Sequence, residues 1–98
     1  MNNIVNLAIQ VLPLYKEQSE GIRIIDRAIE CIQQSGLKFV VCPFETVVEG
    51  EYDAVMKLVR DIHEVCYAAG ASSLIMNMKL QSSLMAVAID DKIGKYKQ

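Results

Sequence analysis

The alternation in residues 4–11, IVNLAIQV, places Val5, Leu7, Ile9 and Val11 on one side of the chain and Ile4, Asn6, Ala8 and Gln10 on the other. A period of two is that of a β-strand, and Pro13 is expected to stop it. The spacing then changes. Ile22, Ile25, Ile29 and Ile32 recur at three- and four-residue steps, which predicts a helix from about 20 to 35, with Ser19 as its N-cap and Gly36 as a left-handed C-terminal cap. Residues 37–44, LKFVVCPF, and 46–50, TVVEG, are β-rich and separated by Pro43, so they read as strands two and three. Val55, Leu58, Val59, Ile62, Val65, Cys66 and Ala69 form an apolar stripe of helical period that Gly70 stops. Residues 73–81, SLIMNMKLQ, alternate again: Leu74, Met76, Met78 and Leu80 face one way, while Ser73, Ile75, Asn77, Lys79 and Gln81 face the other. Met85, Ala86, Ile89, Ile93 and Tyr96 share a face of an expected C-terminal helix. Lys92, Lys95 and Lys97 gather at its negative end.

The order βαββαβ followed by α holds two crossover helices, which right-handed connections place on one face of a four-stranded sheet. The expected fold is therefore α+β, a ferredoxin-like sandwich with an antiparallel sheet, formed as a single ligand-binding domain over 1–98. The other sheet face would carry Ile4, Ala8, Ile75, Asn77 and alternate residues of strand two such as Val40, Cys42 and Phe44 or their neighbours. A patch that apolar is expected to be covered by a second copy, giving a homodimer or homotetramer.

Composition narrows the function. With 98 residues, 52% of them apolar, the chain can build its own core. Ten Lys and Arg against twelve Asp and Glu, without a basic cluster, argue against nucleic acid. No apolar run approaches the roughly 20 residues of a membrane span and no signal segment precedes Val5, so a soluble cytoplasmic protein is expected. Cys31, Cys42 and Cys66 are widely spaced without a C-x-x-C pair, and no His/Cys/carboxylate cluster has metal-ligand spacing. Neither a metal nor a cofactor is expected.

The most distinctive chemistry lies in Pro43–Asp53, PFETVVEGEYD, where four carboxylates fall inside a stretch free of Lys and Arg from Lys38 to Lys57. Glu51 and Asp53 can complement the positive end of helix two. Glu49 ends a β-run before a glycine, where its carboxylate can accept hydrogen bonds from an amino-heterocycle or pair with a cation. Thr46 lies three residues earlier, so in a regular strand it points to the opposite face. His63 stands beside Glu64 on helix two without a second histidine or a nucleophile-base pattern, and no catalytic residue is assigned.

Ser35-Gly36-Leu37, followed about ten residues later by Thr46-Val47-Val48-Glu49-Gly50 and then by the helix carrying Val55, Met56, His63 and Glu64, resembles the thiamine-binding protein family over nearly the whole chain. The resemblance implies ferredoxin-like subunits, dimers built by packing sheets and often paired into tetramers, and binding of thiamine or its hydroxymethylpyrimidine moiety without catalysis. Leu12-Pro13-Leu14-Tyr15 and Ala71-Ser72-Ser73 depart from the glycine-containing turn and the arginine that family members commonly carry there. On this reading Glu49 and Thr46 bind the ligand, and Tyr15 or Phe44 offers an aromatic face for its rings. The alternatives are a dimeric α+β barrel enzyme using His63 or Glu49 as general base, and a regulatory small-molecule-sensing module.

Overall fold

The computed structural model describes residues 3–14 and 17–84; Tyr15 and the helix expected from Met85 onward lie outside them. The order is β1 (Ile4–Leu14), α1 (Gln18–Gln34), β2 (Lys38–Val41), β3 (Thr46–Glu51), α2 (Tyr52–Ala68) and β4 (Ser73–Gln81). The strands form one antiparallel sheet in the order β2-β3-β1-β4. That order, with both helices contributing to one core, is the ferredoxin-like α+β fold.

Register follows from the alternation. Leu7 pairs with Val48 and Leu80, and Ile9 with Thr46 and Met78. Directly paired residues share a face, so Val5, Leu7, Ile9 and Val48 project together. They are buried against Ile24, Ala28 and Ile32 of α1 and Val55, Leu58, Val59, Ile62 and Cys66 of α2. Burying these aliphatic side chains is the main stabilisation, at about 1.5–3 kcal/mol for each large one.

Several boundaries differ from the sequence expectation. Pro13 does not stop β1: it is buried, pairs with Leu74, and the strand runs on to Leu14. The β3 partner of β1 ends at Ile9, so Pro13 sits where the strand has a neighbour on one side only, the position a sheet tolerates for proline. Ser19 is not the N-cap of α1. The helix begins at Gln18 with Glu17 at the cap position, and no side chain bonds the orphan amides. The buried face of α1 is Gly21, Ile24, Ala28 and Ile32, whereas Ile22 and Ile25 are exposed. Small residues at 21 and 28 let the helix approach the core, which the stripe of large isoleucines did not reveal. Strand β2 is only Lys38–Val41, because residues 42–45 form the turn, in which the amide of Cys42 donates to the carbonyl of Glu45 at 2.9 Å.

Gly36 has φ +77°, as a left-handed cap requires. Gly50 does not have positive φ. It lies inside β3 opposite Val5, and a Cβ there would stand 2.8 Å from Leu37 Cδ2, so glycine is used for close approach.

Candidate functional site on the open sheet face

The face of the sheet away from the helices is organised in rows. One row is Lys38, Glu49, Asn6 and Gln81; the next is Val40, Val47, Ala8 and Lys79. Further along β1 and β4, Gln10 pairs with Asn77 and Leu12 with Ile75. The Asn77 amide donates to Gln10 Oε1 at 3.2 Å. Glu49 is therefore half-buried between a cationic side chain and a carboxamide rather than at a loose strand end, and Asn6 beside it is buried. The adjoining row is aliphatic over three strands, Val40, Val47 and Ala8. A polar row bordering an apolar row suits a planar ring that carries hydrogen-bonding groups on one edge. Lys79 Nζ lies 3.9 Å from Glu45 Oε1, so the far end of the face also carries both signs of charge.

Thr46 and Phe44, also singled out in the sequence, do not converge on Glu49 within one chain. Thr46 pairs with Ile9 and is buried on the helix-facing side, the opposite face from Glu49, because β3 is regular with no bulge in its register. Phe44 is 82% exposed at the turn before β3, outside the strand that carries Glu49. Asn6 and Lys38 were not singled out as neighbours of Glu49. Their convergence depends on strand register, which residue type alone does not encode.

His63 lies on α2, in the helix layer, with the sheet between it and Glu49. Its Nδ1 donates to the carbonyl of Val59 at 3.0 Å, so the ring is held by its own helix, and the two residues do not share a site. Between the helices a groove of about 570 Å³ is lined by Arg27, Glu30, Cys31, Gln34, Lys57 and Asp61, among others. Its charges pair within their own helices, Arg27 with Glu30 at 3.3 Å and Lys57 with Asp61 at 2.8 Å. Burial, and after it Asp61, pushes the Cys31 thiol above its ordinary value against the pull of Lys57. Burial likewise raises Cys66, with Cys31 a lesser cause. Both thiols are accordingly protonated near neutrality and poor nucleophiles. Among the described residues, no group of three or more His, Cys, Asp or Glu could hold a metal ion, and no helix is long and apolar enough to cross a membrane.

The sheet order and the two-helix layer thus define a ferredoxin-like α+β protein with one sheet face that no helix among the described residues covers. Residues 7–97 match the family described as thiamine-binding protein, and the chain belongs to that family. It is 36% identical over 92 residues to a UPF0045 protein of Clostridium perfringens, covering 94% of this chain and 96% of that one. A structure of the domain of unknown function DUF77 from Bacillus cereus superposes with a TM-score of 0.91 at 33% identity, over 99% of this chain and 93% of that chain. A candidate thiamine biosynthesis/salvage protein of Thermotoga maritima superposes with a TM-score of 0.86 at 30% identity, over 96% and 99% of the two chains.

Proposed function

We propose that the chain is a non-enzymatic, homo-oligomeric binder of thiamine or its hydroxymethylpyrimidine moiety, and that Glu49 on the open sheet face is its principal ligand-binding residue. The observation that carries this reading is the register that sets Glu49 between Lys38 and Asn6, beside the aliphatic row Val40, Val47 and Ala8. An aminopyrimidine offers donors to the Glu49 carboxylate and ring nitrogens to amide or ammonium donors, while its faces lie on the aliphatic row. A thiazolium cation gains further from the carboxylate. Family membership and the thiamine-related description of the Thermotoga neighbour support the ligand class.

Lys38 is the one further ionisable group beside Glu49 in this row, which holds no histidine, cysteine or hydroxyl, and such a row favours binding over turnover. The same face carries exposed Leu12 and Ile75, and a second copy over it would enclose the ligand. Calorimetric titration of the wild-type protein with thiamine and with hydroxymethylpyrimidine tests the reading. Saturable binding of either without product formation is expected, and no heat or displacement with both would overturn it. In sedimentation, Val40→Asp should weaken an oligomer built on this face, because burying an uncompensated charge costs several kcal/mol.

A further inference from the structure

The groove of about 570 Å³ between the helices takes no part in the site on the sheet, and its volume falls in the range of small-molecule sites, roughly 300–1,000 Å³. At one end Arg23 bonds the carbonyl of Ala69, and at the other Ser35 and Lys57 border one small hollow. Helices α1 and α2 therefore run antiparallel along the groove, with Cys31 level with Asp61 and Arg27 level with Val65. At a rise of about 1.5 Å per residue, the backbone levels put Lys57 first, Asp61 and Glu30 about 6–8 Å further, and Arg27 about 12 Å from the start. The charges thus follow one another as positive, negative, negative, positive. Short side chains keep the seam between them open, because Cys31, Val65, Ala68 and Ala69 line it where longer ones would fill it. Burial has the largest influence on the Cys31 thiol, but Asp61 also raises it and Lys57 lowers it, so both charges of α2 act on the wall that α1 presents.

We propose that this groove binds a free acidic amino acid such as glutamate, with its ammonium between Asp61 and Glu30, its two carboxylates toward Arg27 and Lys57, and its methylene chain against Val65, Ala68 and Cys31. A compact ammonium dicarboxylate carries the complementary order, negative, positive, negative. The Arg27 guanidinium can take one carboxylate bidentately, and the flexible stem of Lys57 lets its ammonium lean inward to the other. Both cations already have partners on their own helices, Arg27 with Glu30 and Lys57 with Asp61, but Arg27, Glu30 and Lys57 are each more than half exposed. An exposed ion pair contributes little stability, so its members can share themselves with a ligand. A neutral amino acid would use only one of the two cations, and a dicarboxylate without nitrogen would leave Asp61 and Glu30 facing more negative charge. The sheet separates this groove from Glu49, so the inference stands or falls independently of what the open face binds.

The test is an NMR chemical-shift titration of the isotope-labelled full-length protein with glutamate, beside sodium chloride at matched ionic strength. The amides of Glu30, Cys31, Asp61 and Val65 should move and saturate with glutamate, and those of Val47 and Glu49 should not. Arg27→Gln and Asp61→Asn should each weaken binding about fivefold or more, as the loss of one partly exposed charged contact does. Leucine, which lacks the second carboxylate, and glutarate, which lacks the ammonium, should bind more weakly by a similar factor. Ala68→Phe, at an exposed position of α2, should fill the groove, abolish the glutamate shifts and leave the titration with thiamine unchanged. Shifts no larger than those with sodium chloride, equal binding of leucine or glutarate, or saturation that persists in Ala68→Phe would overturn the proposal. Glutamate binding in protein that takes up neither thiamine nor hydroxymethylpyrimidine would uphold it while the functional reading fails.

Discussion

Arg23 of α1 donates through Nη2 to the carbonyl oxygen of Ala69 at 2.9 Å, closing the C-terminal end of α2 from a different helix. Helix α2 has no basic residue in its last turn, so this guanidinium is the cation that meets the negative end of its dipole. The turn itself is completed by the amide of Ala71, which bonds the Cys66 carbonyl at 3.1 Å, and by Gly70 at φ +113°. Arg23→Met, which keeps much of the aliphatic stem, should lower stability by about 0.5–1 kcal/mol, the range for a solvent-exposed charged cap. Urea denaturation checks this, and an unchanged midpoint would show that water caps the helix as well as arginine does.

Gly36 and Gly50 should respond differently to alanine. At Gly36 nothing lies near the added Cβ, so only backbone strain is felt, and a loss of about 1 kcal/mol is expected. At Gly50 the added methyl meets Leu37 Cδ2, and a loss of about 1–3 kcal/mol is expected from overpacking. Trimming Leu37 to alanine should remove most of the extra cost of Gly50→Ala and leave that of Gly36→Ala intact. Additive losses for Gly50→Ala and Leu37→Ala in denaturant melts would contradict the contact argument.

The raised thiols give a pH dependence of definite sign. An exposed thiol in the unfolded chain loses its proton near its ordinary value of 9.0, whereas Cys66, raised mainly by burial, keeps its proton to higher pH in the native state. Above that value the unfolded state binds fewer protons, so stability is fully present below about pH 9 and falls as pH rises toward the native thiol's own value. Cys31, also raised chiefly by burial, adds to the same trend. Urea melts from pH 7.5 to 10 should show a steeper loss for the wild type than for Cys66→Ala. Parallel profiles would mean that the thiol does not contribute.

Some of this structure is legible in the chain and some is not, for physical reasons. Strand β4 occupies Ser73–Gln81 as its alternation predicts, because a half-covered strand must keep a period of two. The opposite orientations of Thr46 and Glu49 follow from their three-residue separation in the same way. The buried face of α1 is harder to read, since Gly21 and Ala28 are core positions through their smallness while Ile22 and Ile25 are exposed. The row Lys38, Glu49, Asn6 is not legible at all without register, because each residue in isolation is an ordinary polar position on a strand. Register is set by the packing of the whole sheet.

The most direct test of the account is calorimetric titration of thiamine and hydroxymethylpyrimidine into Glu49→Gln and Glu51→Gln beside the wild type. Glutamine at 49 keeps the shape but replaces one acceptor oxygen with a donor that faces the ligand's amino group or cation. Affinity should fall by about 1.5–3 kcal/mol, the range for hydrogen bonds to a charged group, with the oligomer intact. Glu51 is exposed at the N-cap of α2 and makes no side-chain cap bond, so its amide variant should lose less than about 1 kcal/mol, as a screened surface charge does. A large loss at 49 with a small one at 51 is the predicted result; equal small losses at both positions would contradict the placement of the ligand against Glu49.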